Sequence, residues 1–231
     1  KPLASLRSFV NTRRQMSKHA HDLAAEDLSR SGISVEDADA AGMEPCEDAS
    51  QIYEDFNALP AIIIPYYEPL TQEPMTFERD GELVPFARVR YLQDAPRTKG
   101  FRKKKTLRYS QPLDSGIHVY FPQVEGIDWK EVFEDVETPI VITEGEKKSL
   151  AGCLAGVPTI GLGGVYNFMA GDSLVDSIAS INLTGRSVYI CFDSDAATNS
   201  NIQAAEGRLA TELSLKRKAD VYPARLPTLP G

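Results

Sequence analysis

The hydrophobic rhythm of this 231-residue chain changes twice along its length. From residue 1 to 57, apolar and polar residues are mixed and read as short helices marked by end signals. "LAAEDLSRSG" closes on Gly32, a residue suited to the position just past a helix end. "SVEDADAAGM" offers Ser34 as a helix cap with Asp37 three residues on. From 58 to 138 the runs are β-branched or aromatic and broken by Pro, Gly and Asp. "AIIIPYYEP", "MTFERDGELVPFARVRYL", "TLRYSQ" and "IHVYFPQ" predict strands, with "RDGE" as a hairpin turn. In "FARVRYL" the alternation sets Arg88 and Arg90 on one face and Val89 and Tyr91 on the other. A half-buried strand with a solvated basic face is expected.

From Pro139 the pattern is different again. "PIVIT" predicts a buried strand, "EGEKKSLAGCLAG" a helix ending at Gly156, and "VPTIGLG" a second strand. "GDSLVDSIASI" carries Leu174, Ile178 and Ile181 at helical spacing, and "SVYICF" is a third strand. "SNIQAAEGRLATELSLKRK" predicts a longer helix with Ile202, Leu209 and Leu213 on one side, and "ADVYPARL" a fourth strand. Alternating buried strands and helices imply a parallel sheet with right-handed crossovers. The expected fold class is α/β. A helical segment (1–57) and a β-rich basic subdomain (58–138) precede a C-terminal parallel sheet flanked by helices (139–231).

Composition alters this picture in one place. The net charge of −8 would argue against nucleic acid if it were evenly spread. It is not: Asp22 to Asp55 holds eleven acidic residues and one basic, Arg30, whereas "RTKGFRKKKTLR" holds seven basic residues and no acidic one. That run, with Lys103, Lys104, Lys105 and Arg108, is a candidate phosphate-binding surface beside Arg88 and Arg90. Cys46, Cys153 and Cys191 lack CxxC spacing, so no zinc ribbon is expected, and a reducing cytoplasm fits. No apolar run approaches the roughly 20 residues that span a bilayer, and no membrane partner is expected. Both ends read as cuts in a longer protein.

The candidate chemistry lies at two strand ends. "VYICFDSDAA" ends an apolar run on Asp193 and Asp195, and "VITEGEKK" ends one on Glu144, followed by Gly145. Adjacent carboxylates repel unless a cation stands between them. If the strands from Pro139 and Val188 are close neighbours, three hard oxygen donors meet at one sheet edge and suit Mg²⁺, with Mn²⁺ as a substitute. Lys147 and Lys148, at the start of the next helix, are either solvated helix charge or phosphate contacts. The glycines of "GLGGVYNF" are expected to let the chain turn close to this site, with Tyr166 and Phe168 either in the core or stacked on a base.

The order strand–Glu-Gly–helix–strand–Gly turn–helix–strand–Asp-x-Asp–helix resembles the TOPRIM domain of primases, topoisomerases and some nucleases. "VITEGEKKSLAGCLAGVPTIGLGGVYNF" and "RSVYICFDSDAATNSNIQAAEGRLATEL" are most similar to the TOPRIM-like primase domains of phage and plasmid replication proteins. The resemblance implies that Glu144 acts as general acid/base or metal ligand and that Asp193 and Asp195 hold Mg²⁺. It implies the primase core of a replication protein, with a single-stranded DNA template, nucleoside triphosphates and a helicase domain or protein as partners. Lys148 departs from the acidic residue that primases often carry there. Two alternatives stay open: a TOPRIM nuclease that cuts phosphodiesters, and a catalytically inactive nucleic-acid-binding module. A haloacid-dehalogenase-type phosphatase is discounted, because Ala197 stands where that family has Thr or Val.

Overall fold

The protein is described by a computed structural model covering residues 18–96, 106–192 and 199–225. Asp193, Asp195 and Lys103 to Lys105 lie outside the described residues. The chain forms two compact units, Lys1–Glu68 with Gln72–Gly116, and Pro69–Thr71 with Ile117–Gly231.

In the first unit, helices α1 (Lys18–Ser29) and α2 (Val35–Ala40) precede an antiparallel sheet. Ser34 caps α2 as its sequence predicts: its Oγ accepts the Asp37 N–H at 3.0 Å and donates to Asp37 Oδ2 at 2.6 Å. The sheet order is β1 (Glu44–Cys46), β2 (Ala61–Pro65), β5 (Ala87–Ala95), β6 (Leu107–Ser110). A separate hairpin joins β3 (Thr76–Arg79) to β4 (Glu82–Pro85) through Asp80 and Gly81. Both turn residues have positive φ (53° and 80°), the backbone a two-residue Asp-Gly turn favours.

The expectation of a half-buried β5 with a solvated basic face is corrected. One face of β2 and β5 packs Ala61, Ile63, Ala87, Val89 and Tyr91 with Phe56 and Ala49. On the other face Ile62, Ile64, Arg88 and Arg90 are buried as well. Both faces are covered, which explains why "AIIIP" is apolar throughout rather than alternating.

The second unit is built on a five-stranded sheet. Its order is β13 (Asp220–Pro223), β12 (Ser187–Cys191), β8 (Ile140–Glu144), β9 (Thr159–Leu162), β7 (Val119–Tyr120). The four strands from β13 to β9 run parallel, and β7 is antiparallel to β9. Thus "IHVYFPQ" supplies an edge to this sheet. Helix α3 (Trp129–Glu134) precedes β8, and α4 (Glu146–Leu154) links β8 to β9. The stretch "GDSLVDSIASI" is not one helix. It makes a short hairpin of β10 (Met169–Ala170) and β11 (Ser173–Leu174), then helix α5 (Asp176–Ala179). Gly171, with φ of 63°, turns the chain there, yet Leu174, Ile178 and Ile181 still reach the core. Helix α6 (Ser200–Thr211) continues through a π-turn over Glu212–Lys216 into β13. The mixed α/β class, with an antiparallel first region and a mostly parallel C-terminal sheet flanked by helices, is as expected. None of the described helices is long and apolar enough to cross a membrane.

Candidate functional site

Strand order locates the crevice. Strands β8 and β12 are adjacent and parallel, but β8 leads through α4 to β9 on one side, whereas β12 leads through α6 to β13 on the other. Outgoing connections that diverge from neighbouring strands open a crevice at their carboxyl ends, where ligands of open α/β sheets bind. The last paired rung is Thr143 with Cys191, stitched by a 2.7 Å hydrogen bond from Thr143 Oγ1 to the Cys191 carbonyl. Glu144 follows that rung by one residue and Asp193 by two, counted along the sequence. Glu144 is half-buried.

The turn after Glu144 is set by glycine. Gly145 has φ 93° and ψ 146°, a backbone region that essentially only glycine enters, and its N–H donates to the Leu162 carbonyl at 2.8 Å. Gly161 acts differently from its expected role in a turn. It lies within β9, and a Cβ there would stand 2.5 Å from Ser149 Oγ and 3.3 Å from the Gly145 carbonyl oxygen. Its lack of a side chain lets α4 and the Glu-Gly turn approach the sheet.

The two lysines of α4 part company. Lys147 is buried, while Lys148 is exposed. Burial first, offset in part by the positive field of Lys148 and then Arg225, holds the half-buried Cys191 thiol above its ordinary pKa. Arg225 follows β13, and its neighbour Ala224 donates its N–H to the Ile190 carbonyl of β12 at 2.8 Å, while Lys148 lies in the first turn of α4, just past the end of β8. Sequence reading missed Arg225. It is anchored by a two-pronged ion pair to the buried Glu206 of α6, at 2.8 and 2.9 Å, leaving its side chain about half exposed. Tyr166 is 39% exposed and donates to the Asn201 carbonyl at 3.1 Å, tying the glycine loop to the first turn of α6. Phe168 is fully buried core.

The basic candidates of the first unit also differ among themselves. Arg90 donates from Nε and Nη2 to the two carboxylate oxygens of the buried Asp27, both at 2.5 Å. Burial would lower its pKa, but the Asp27 carboxylate and Tyr109 outweigh burial and raise it. The Tyr109 ring lies 5.5 Å from the Arg88 guanidinium and 5.0 Å from that of Arg90. Arg88 and Arg90 thus share a face, as the alternation predicts, but a buried one. Arg108 on β6 is exposed. Among the described residues no group of three or more His, Cys, Asp or Glu side chains is placed to hold a metal ion. The donors at the crevice are carboxylates by sequence, the hard oxygen type that Mg²⁺ takes, and Glu144 is half-buried with the end of β12 beside it.

Comparison with known proteins gives three kinds of likeness. A family described as a domain of unknown function (DUF3854) matches residues 128–229. An uncharacterized protein of Picosynechococcus sp. is 29% identical over an alignment 157 residues long that covers 54% of this chain and 16% of that protein. The RNA polymerase domain of Mycobacterium tuberculosis primase DnaG superposes with a TM-score of 0.54 at 15% identity, covering 92% of this chain and 70% of that one. The same domain in complex with double-stranded DNA gives 0.54 at 16% identity, over 90% and 67% of the two chains. The Escherichia coli primase catalytic core gives 0.50 at 14% identity, over 90% and 66%. At these identities the likeness is one of fold, and the chain has a primase-like fold.

Proposed function

We propose that the carboxyl edge between β8 and β12 is a TOPRIM-type Mg²⁺ site, and that the chain is the nucleotidyl-transfer core of a phage- or plasmid-type replication protein. The carrying observation is the diverging strand order, which brings the end of the Glu144 strand and the end of the strand leading to Asp193 and Asp195 side by side. The primase-like fold supports the same reading.

On this reading Glu144, Asp193 and Asp195 hold the cation, and Mn²⁺ replaces Mg²⁺. The ion supplies charge neutralisation of a triphosphate and activation of a primer hydroxyl. The half-buried Glu144 carboxylate is held at the edge by the Gly145 turn and can also accept a proton. Lys148 and Arg225 offer positive charge to phosphate oxygens beside it, and Lys147 braces the helix from within. Residues 139–231 carry this edge. In 58–138, Arg108 with Lys103, Lys104 and Lys105 grips a single-stranded DNA template, while Arg88 and Arg90 secure β5 within its sheet. Nucleoside triphosphates are the second substrate, and a helicase domain or protein is the expected partner.

The test is oligonucleotide synthesis on mixed-sequence single-stranded DNA with labelled nucleotides and Mg²⁺ or Mn²⁺. Product from the wild-type chain should fall more than about a hundredfold in Asp193→Ala/Asp195→Ala, as loss of several kcal/mol of transition-state charge stabilisation requires. A folded chain that binds DNA and makes no metal-dependent product would instead be a binding module. Shortening of the DNA without synthesis would identify a nuclease.

A further inference from the structure

The two faces of the sheet in the second unit are covered unequally. Helix α4 seats on one face of β8 and β9: a Cβ on Gly152 would stand 2.3 Å from Thr159 Oγ1, and one on Gly161 2.5 Å from Ser149 Oγ. The parallel register continues this face across the sheet, pairing Thr159 with Val141, Val141 with Tyr189, and Tyr189 with Tyr222. At the far strands the face is open. Tyr189 and Tyr222 are 38% and 47% exposed, and their rings stack at 5.3 Å between centroids with planes 27° apart. On the opposite face of the same strand Val188 and Ile190 are fully buried.

A single exposed tyrosine needs no explanation. Two tyrosines stacked in register on adjacent strands make a flat aromatic platform, and its surroundings are graded in charge. Arg225 lies two residues past the end of β13, where the Ala224 N–H donates to the Ile190 carbonyl of β12 at 2.8 Å, and Lys148 lies in the first turn of α4 just past β8, so both cations stand at the carboxyl ends of the strands. Asp220, two residues before Tyr222, is exposed at the other end. Aromatic rings with cations at one end suit unpaired nucleotides, whose bases stack while their phosphates meet the positive charge. A protein partner is a poorer match. Two rings provide a small part of the roughly 1,200 Å² that a stable protein interface buries.

We infer that the Tyr189–Tyr222 face binds unpaired single-stranded DNA by base stacking, with Lys148 and Arg225 meeting its phosphates. The choice of DNA over RNA rests on the primase-type reading, whereas the stacking needs neither metal nor catalysis. The experiment therefore omits metal and nucleotides. Fluorescence anisotropy of the full chain with a labelled oligothymidylate of roughly 16 nucleotides should show binding weakened about tenfold or more in Tyr189→Ala/Tyr222→Ala. Tyr189→Phe/Tyr222→Phe should stay within about twofold of wild type, since the ring is kept. Photocrosslinking with 5-iodouracil, mapped by mass spectrometry, should mark Tyr189 or Tyr222.

Unchanged binding by the alanine variant, with crosslinks confined to other residues, overturns the inference. So does tight binding of oligouridylate with none of oligothymidylate. A dimer that the alanine variant converts to monomer assigns the face to a second copy instead. Failure of oligonucleotide synthesis bears only on the metal edge.

Discussion

Strand β5 of the first unit and strands β8 and β12 of the second all carry charge among apolar residues, and they use it in opposite ways. On β5 the charge sits in mid-strand, where a sheet buried on both faces has no solvent to offer. Arg90 meets Asp27 in a two-pronged ion pair, and Tyr109 lies against both Arg88 and Arg90. On β8 the carboxylate comes at the last residue, where diverging connections from β8 and β12 open a crevice, and Asp193 and Asp195 follow β12 in the sequence. Even within the second unit the contrast holds along β12. The residue before it, Arg186, is fully buried and donates to the Phe133 and Asp135 carbonyls at the end of α3, whereas Asp193 and Asp195 follow the strand in the sequence. Charge within or just before a strand holds elements together here, and the proposed reading assigns the charge beyond the carboxyl ends to chemistry.

The comparison breaks first on stability. Arg90→Ala leaves Asp27 buried without its partner and should cost about 3–5 kcal/mol, read by denaturant unfolding of the full chain. Replacing both, as in Asp27→Leu/Arg90→Met, should recover most of that loss. If Arg90→Ala unfolds like wild type, the guanidinium is not structural and the basic-face reading returns. Next comes Gly145→Ala, which forces a side chain into a glycine-only backbone region and should cost about 1–3 kcal/mol. Lys148→Ala should change stability by no more than about 0.5 kcal/mol, yet lower affinity for nucleoside triphosphate in a binding titration.

The smallest effect is on acid stability. The Asp135 carboxyl is held below its ordinary value by the Thr138 hydroxyl and then the Glu137 N–H. A depressed folded-state pKa gives stability that is present above the unfolded value of 3.8 and is lost as pH falls through the folded one. Thr138→Val should flatten that acid limb in a series of unfolding curves, with little change near neutrality.

What could be read from the sequence was whatever neighbours in the chain decide. Ser34 and Asp37 cap a helix within three residues, Asp80 and Gly81 turn a hairpin, and "VITEGEKK" spells strand, glycine turn and helix in order. What could not be read depends on distant partners. The Asp27 that claims Arg90 stands 63 residues away on α1. Glu206, which fixes Arg225, belongs to a different element, and the Tyr189–Tyr222 stack exists only once β12 and β13 pair. The hairpin at Gly171 was hidden because Leu174, Ile178 and Ile181 keep a helical spacing while only the last part is helix. Glu144 was legible as a strand-end carboxylate, but the adjacency of its strand to β12 was not.

On the proposed reading, Glu144 and the two aspartates share one cation. Titrating Mn²⁺ into isotope-labelled protein and following paramagnetic broadening of amide NMR signals tests it at the residue level. Broadening should centre on Thr143, Glu144, Gly145, Cys191 and Phe192, and should be abolished by Asp193→Asn/Asp195→Asn. Broadening centred instead on the acidic stretch from Asp22 to Asp55, or unchanged in the double variant, would contradict it.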